Sequence, residues 1–370
     1  MKVVLLTNFI PPYRKSLYQA LAKRFEEFTI LVSVNMEQNR DWTVDHEGLN
    51  VVAQKTISWK KKWTHEAGFE DTTEVHLPYN TISILRRLNP DVVISSELGM
   101  RSLLASLYCQ LFQKPLILWL TLSDRTETNK GGMRLKLRSF LLKHAKAILC
   151  NGVACERYVK TFGIEKPVFF VPYTSNFEIG SAKTQFHQPR RFLYSGTLTK
   201  RKGIKEMVDA FVQWSHANPE SGAELTIVGD GPEKVQLERL SPLKNLLVKH
   251  IGSLPYAEMK ARYHEADIYL MPTLADEWGV VINEAMSCGL PVLGSMYSQA
   301  VEQLVRPMEN GWTFRTEETS EFAAGIQMAL NTSNEVLSSY SRNCIDTIQE
   351  LSVEKVADTI ANAAKSVKSI

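Results

Sequence analysis

The sequence predicts an α/β protein made of two doubly wound domains, and three observations predict it. Short apolar runs rich in Val, Ile and Leu alternate with longer amphipathic segments, the pattern of βαβ units around parallel sheets. That alternation stops over residues 176–190, which carry few ordered apolar positions, and then restarts. The length, 370 residues, exceeds one typical domain and suits two that share a cleft.

In order, the strands expected in the first half are Lys2–Thr7, Phe28–Val34, Asp91–Ser95, Pro115–Leu120, Ala147–Asn151 and Val168–Pro172. Between the first two, Leu17, Leu21 and Phe25 recur at helical spacing over Tyr13–Phe25. Residues 42–73 break the pattern into a polar, Trp-rich stretch that reads as a loop or excursion. The second half restarts with Arg191–Ser195, Glu224–Val228, Leu247–Ile251, Ile268–Met271, Pro291–Gly294 and Gly311–Phe314. Val356, Ile360, Ala363, Ala364 and Val367 predict a last helix over 353–370. The expected division is therefore 1–175, a linker at 176–190, and 191–352, with helix 353–370 packing back onto the first domain. Ligands are expected at the carboxyl ends of the strands.

Composition narrows the function classes. Hydrophobic residues at 44% and charged residues at 22% exclude a disordered, collagenous or low-complexity chain. Five cysteines without a C-x-x-C pair indicate neither a disulfide framework nor a zinc site, so reduced thiols in a cytoplasmic compartment are expected. No apolar run approaches the roughly 18–20 residues that span a bilayer, and the opening residues read as a buried first strand. Net charge is +3, yet residues 1–175 hold 24 Lys/Arg against 16 Asp/Glu, a balance of +8, and the remainder carries −5. A basic first half fits an anionic ligand or surface, or a solvated basic face.

The most informative segment runs from Pro272 to Val292. It reads as a strand end, a loop with Asp276, Glu277 and Trp278, a helix starting near Gly279, a stop at Gly289 and another strand. Gly279 permits close backbone approach, so the amides of Val280 and Val281 can face an anion. Carboxylates there repel phosphate but accept hydrogen bonds from sugar hydroxyls; alternatively they only favour a helix N-terminus. After the first strand of the second half, Gly196-Thr197-Leu198-Thr199-Lys200-Arg201-Lys202-Gly203 sets basic side chains at a helix start, suited to a diphosphate. The string Val228-Gly229-Asp230-Gly231-Pro232 lacks the third glycine of a dinucleotide fingerprint, because Lys234 stands there.

Asp276 and Glu284, followed by Ala-Met-x-Cys-Gly-x-Pro-Val, resemble the E-x7-E motif of glycosyltransferase family 4. The resemblance implies a retaining enzyme of the GT-B fold, two Rossmann-like domains facing across a cleft, like bacterial surface-glycan or glycolipid transferases. It places Asp276 on the donor hexose and Glu284 on the nucleotide ribose. Asp276 is one methylene shorter than the usual Glu, and Glu277 beside it is the alternative. Lys202 matches the family's diphosphate-binding Lys. Thr197 stands at the usual Arg position, which leaves Arg201 as the substitute. Gly196, Gly229 and the loop around Leu254 match the family's donor side. On the acceptor side the family's glycine-rich loop is replaced by Pro11-Pro12-Tyr13-Arg14, and its His by the run through Asp124 and Arg125. Tyr13, Arg14, Asp124 and Arg125 are the candidate contacts there, with a surface salt bridge the alternative role for Arg14.

The expectation is transfer of a hexose from a UDP- or GDP-type sugar to a glycan or lipid-linked acceptor, with no cofactor and no metal. Rival readings are a nucleotide-sugar epimerase and a non-catalytic nucleotide-sugar binding protein. Trp59-Lys60-Lys61-Lys62-Trp63 reads as a solvated loop, and otherwise as a contact for an anionic membrane surface. Arg134, Lys136, Arg138, Lys143 and Lys146 decorate a predicted helix. No nucleic-acid module accompanies these charges.

Overall fold

The computed structural model describes residues 1–36, 46–127 and 131–368. The chain divides into two compact units, Met1–Thr174 with Leu351–Ile370, and Ser175–Glu350.

The first unit contains β1 (Lys2–Thr7), α1 (Pro12–Ala22), β2 (Glu27–Val32), β3 (Asn50–Ala53), β4 (Thr56–Thr64) and β5 (Glu70–Pro78). It continues with α2 (Thr81–Leu88), β6 (Val92–Ser96), α3 (Met100–Leu111), β7 (Leu116–Leu120), α4 (Gly132–His144), β8 (Ala147–Cys150), α5 (Val153–Lys160) and β9 (Val168–Phe170). Seven of these strands form a parallel sheet in the order β3-β2-β1-β6-β7-β8-β9. Its strands read as continuous apolar runs because both faces are covered. On β1, Val3 and Leu5 pack with Leu17 and Leu21 of α1, whereas Val4 and Leu6 pack with Leu85, Ala105 and Leu141 on the opposite face. The order reverses between β1 and β6, which makes the carboxyl ends of those two strands the crossover point of the sheet.

The second unit contains β10 (Arg190–Ser195), a 3-10 turn at Lys200–Lys202, α6 (Ile204–Ala217), β11 (Ala223–Val228), a second 3-10 segment at Pro232–Leu240 and β12 (Leu246–Gly252). It continues with α7 (Tyr256–Glu265), β13 (Ile268–Met271), α8 (Val280–Ser287), β14 (Val292–Ser295), α9 (Gln299–Leu304), β15 (Gly311–Phe314), α10 (Thr319–Asn331) and α11 (Asn334–Gln349). Its six strands are parallel in the order β12-β11-β10-β13-β14-β15, reversing between β10 and β13. Phe192, Leu225 and Ile268 pack with Phe211 and Trp214 of α6 and Phe322 of α10.

The last helix, α12 (Val353–Lys368), belongs to the first unit, where it lies against α1. Residues 369–370, included in the expected helix, lie outside the described residues. Residues 176–190, read from sequence as a linker, belong to the second unit, and all but Arg190, which opens β10, form no helix or strand. Gly180 N donates to Ser287 O at 2.8 Å, Lys183 N to Ser341 Oγ at 2.7 Å, and His187 N to the buried Asp267 carboxylate at 3.2 Å.

One expectation is corrected. Trp59–Trp63 is part of strand β4 and not a loop; β4 pairs antiparallel with β5 as a two-stranded ribbon outside the seven-stranded sheet. Three consecutive exposed lysines hide the period-2 pattern, although the cross-strand ladder Ile57–Leu77 and Trp59–Val75 obeys it. The first residues of the polar stretch, 42–45, lie outside the described residues.

Candidate functional site

The carboxyl ends of β10 and β13 bring the second unit's charged residues together. Gly203, at φ +68°, ends the Lys200–Lys202 turn, and a Cβ there would stand 1.9 Å from the Pro272 carbonyl oxygen. Only a glycine lets these two loops meet so closely. The contact is then stitched: Arg201 O accepts from Leu274 N at 2.9 Å and from Thr273 Oγ1 at 3.0 Å. Arg201 and Lys202 therefore sit beside the loop that leads into α8.

Lys202 Nζ forms an ion pair with Asp276, and Arg201 Nη1 donates to Ala275 O at 3.4 Å. Burial pushes the Asp276 carboxyl up, but the Lys202 and Arg201 cations outweigh it and hold the group below its ordinary value. The loop is fixed from behind, because Asp276 N donates to Tyr297 O at 3.0 Å and Ala300 N to Trp278 O at 3.0 Å. Trp278 is 2% exposed, and its indole N–H donates to Asn283 Oδ1 at 2.7 Å. Glu277 is exposed at this turn, and Asp276 pairs with Lys202.

Gly279 caps α8 at φ +100°, a position where a Cβ would press on Met271 at 2.9 Å. No side chain caps this helix. The amides of its first turn, around the half-buried Val280 and Val281, thus keep the partial positive charge of a helix start. One turn further, Glu284 is 7% exposed and accepts from Tyr263 Oη at 2.8 Å. Burial raises its carboxyl above the ordinary value, while the Tyr263 and Tyr256 hydroxyls pull it back in part. The Tyr263 hydroxyl also lies 3.2 Å from Ser195 Oγ at the end of β10. Sequence reasoning missed Tyr256 and Tyr263: both lie on α7, whose only local signal is its amphipathic spacing.

Gly196 and Gly229 pack backbone to backbone at the ends of β10 and β11, and Gly229 N donates to Gly252 O at 2.8 Å. Leu254 is half-buried in the loop between β12 and α7. His250 is a packed residue, bonded to Gly229 O at 2.8 Å.

Of the four candidate residues in the first unit, Tyr13 and Arg14 both contact Tyr173. Arg14 is 6% exposed, so the surface salt-bridge alternative is wrong; its guanidinium lies over the Trp119 ring at 4.4 Å and the Tyr173 ring at 4.0 Å. Tyr13 packs on Tyr173, with ring centroids 5.7 Å apart. Asp124 pairs with Arg157 at 3.1 Å on the surface, and Arg125 O bonds the His65 ring at 3.1 Å, tying down the β4–β5 turn. Of the basic residues expected on one helix, Arg138 points inward and pairs with Glu127 at 2.5 Å, while Lys146 follows the helix end. All five cysteines are buried, and none forms a disulfide. Among the described residues no helix is long and apolar enough to cross a membrane.

Fold and site together define the class: a doubly wound α/β protein of two Rossmann-like units, with paired cations and acids at a strand crossover point. Residues 160–346, just over half of the chain, match the family model for glycosyl transferases group 1, and the chain belongs to that family. Over 135 residues it is 34% identical to the amylovoran biosynthesis glycosyltransferase AmsK of Erwinia amylovora, covering 34% of this chain and 32% of that protein. Over 123 residues it is 29% identical to the alpha-monoglucosyldiacylglycerol synthase of Acholeplasma laidlawii, covering 33% and 30%. The matches thus span about a third of the length of these curated relatives. The Anabaena HepE structure in complex with UDP superposes with a TM-score of 0.73 at 18% identity, over 99% of this chain and 100% of that one. The shared fold is GT-B.

Proposed function

We propose that this protein moves a hexose from a nucleotide-diphosphate sugar to a glycan or lipid-linked acceptor, retaining the anomeric configuration. The observation that carries this reading is the convergence of Arg201 and Lys202 on the loop at the mouth of α8, with Asp276 paired to one of them. HepE, a protein of the same fold, has been seen in complex with UDP and with UDP-glucose, which supports a UDP-type donor here.

As the bond between sugar and diphosphate breaks, negative charge grows on the leaving phosphate. Lys202, Arg201 and the open amides of α8 are fixed before that charge develops, and such preorganised groups stabilise a transition state more than a ground state. Asp276 accepts hydrogen bonds from the hexose, and Glu284, held by two tyrosines, accepts from the ribose; both orient the donor. The cations neutralise the diphosphate in the place a metal would take, and the departing phosphate oxygen receives the acceptor's proton. The exposed lysines of β4 are the surface we assign to an anionic membrane holding the acceptor.

Thermal-shift screening against UDP-, GDP- and ADP-sugars tests the donor. One nucleotide class should stabilise the protein selectively, by RT ln(1 + [L]/Kd). Lys202→Ala should remove that stabilisation and lower kcat/KM by about 100- to 1000-fold, the cost of one lost oxyanion contact. Absence of a shift with every donor would sink the reading; binding without turnover would leave a nucleotide-sugar binding protein.

A further inference from the structure

Among the described residues four arginines are almost fully buried: Arg14, Arg101, Arg138 and Arg190. Three of them meet oxygen. Arg138 pairs with Glu127, Arg190 donates to Thr332 O at 2.9 Å, and Arg101 donates to Ser33 Oγ at 3.2 Å and pairs with Glu97 at 3.3 Å. Arg14 alone of the four pairs with no oxygen among the described residues, and its Nη1 is buried without a hydrogen-bond partner. The Trp119 and Tyr173 rings stabilise its charge through their negative faces. The rings leave the Nη1 donor unmet, however, and a buried unmet donor on a charged group is costly.

The place of this arginine is informative. The first sheet reverses between β1 and β6, and at their carboxyl ends lie Asn8, Ser96 and Glu97. Arg101 bridges those ends through Asn8 Oδ1 and the Glu97 carboxylate. Glu97 N donates to Trp119 O at 3.2 Å, and the Trp119 ring carries Arg14. Arg14 itself sits in the first turn of α1, whose N-cap, Pro11, offers no side-chain hydrogen bond. Arg101 thus bridges the ends of β1 and β6, beside a Glu97 side chain that is 37% exposed, and Arg14 lies on the ring of Trp119 in the adjoining strand β7. Glu97 holds φ +77°, a region costly for a residue with a side chain and tolerated where function requires it.

We infer that the crossover point of the first unit is an oxyanion site, in which the Arg14 guanidinium takes the phosphate or carboxylate group of a charged acceptor. The inference deepens the reading above by naming the acceptor class, and it rests on that reading only for the word acceptor. Occupation meets the open Nη1 donor and brings an anion to the Arg14 charge, while Trp119 and Tyr173 hold the guanidinium plane.

The test measures thermal stability of the full chain at constant ionic strength, titrated with inorganic phosphate and separately with D-glucuronate. Wild type, Arg14→Met and Lys202→Ala are compared. A saturable stabilisation is expected in wild type and in Lys202→Ala, and is lost in Arg14→Met. The effective anion tells a phosphate-bearing acceptor from a uronic-acid-bearing one. A shift that survives Arg14→Met and disappears in Lys202→Ala overturns the site, because the anion then binds only the cations of the second unit. No shift with either anion overturns it as well. Should Arg14→Met fail to fold, Arg14→Lys replaces it: the charge stays but the parallel N–H pair is lost. At least a fivefold rise in apparent Kd is then expected, and an unchanged Kd overturns the inference. Failure of the donor screen with this anion response intact refutes the donor reading alone.

Discussion

At the scale of single residues, the ion pair of Lys202 with Asp276 has a pH signature that its neighbours lack. The folded carboxyl of Asp276 lies below its ordinary value of 3.8, so within that window the unfolded chain binds more protons than the folded one. Stability from this group is therefore present above about 3.8 and is lost as pH falls through the folded value. Asp276→Asn leaves Lys202 without its charge partner and should cost about 1–3 kcal/mol at pH 7. In urea unfolding the gap between mutant and wild type should narrow as pH falls below about 3.8; a gap constant across pH would show that Asp276 acts by shape alone. Glu284 titrates with the opposite sign, since burial raises it and its cost grows as pH rises through the folded value. Lys202, Asp276 and Glu284 were legible because chain-local spacing carries them. The burial of Arg14 and the tyrosine partners of Glu284 were not, because contacts between distant elements create them.

Among the elements, strands buried on both faces were the easiest to read, because their apolar runs are unbroken: Ile268–Met271 and Gly311–Phe314 match the observed strands residue for residue. The β4–β5 ribbon was illegible for the converse reason. It stands outside both parallel sheets, and Lys60, Lys61 and Lys62 are all exposed, so no burial pattern marks it. Two features follow from its geometry. Lysines on an isolated ribbon deter edge pairing with other chains. Together with Ile57 and Trp59, 57% and 46% exposed, they also offer cations beside apolar side chains, a combination that suits an anionic bilayer. Exchanging the three lysines for glutamate should abolish co-sedimentation with phosphatidylglycerol vesicles while leaving thermal stability within about 0.5 kcal/mol, as for other surface changes. Wild-type binding should weaken with salt, since exposed charges are screened beyond roughly 10 Å at 0.1 M. Equal binding to neutral phosphatidylcholine vesicles would refute an electrostatic surface.

For the molecule as a whole, the chain path sets how stability is divided. The first unit is closed by the last helix, so residues more than 300 positions apart share one core. On α12, Val356, Ala357, Ile360, Ala361, Ala363, Ala364 and Val367 are buried, and the first-unit core joins them to Leu17 and Leu21 of α1. Arg24 adds contacts to Glu354 at 2.6 Å and Asp358 at 2.8 Å, but both acids are exposed and such pairs are worth little. The apolar face therefore dominates: Val356, Ile360 and Val367 each contribute roughly 1.5–3 kcal/mol on burial. Domains are stable by only about 5–15 kcal/mol, so losing the helix removes a large share of the first unit's margin. The second unit, Ser175–Glu350, contains neither α12 nor α1. Deleting residues 352–370 is thus expected to melt the first unit at a much lower temperature while the second keeps its own transition. Limited proteolysis should then digest residues before 175 and leave a resistant core that includes Lys202 and Glu284. A single cooperative loss of both units would instead mean that they fold as one body. Retention of the wild-type melt would mean that the α1 face is sealed without its helix.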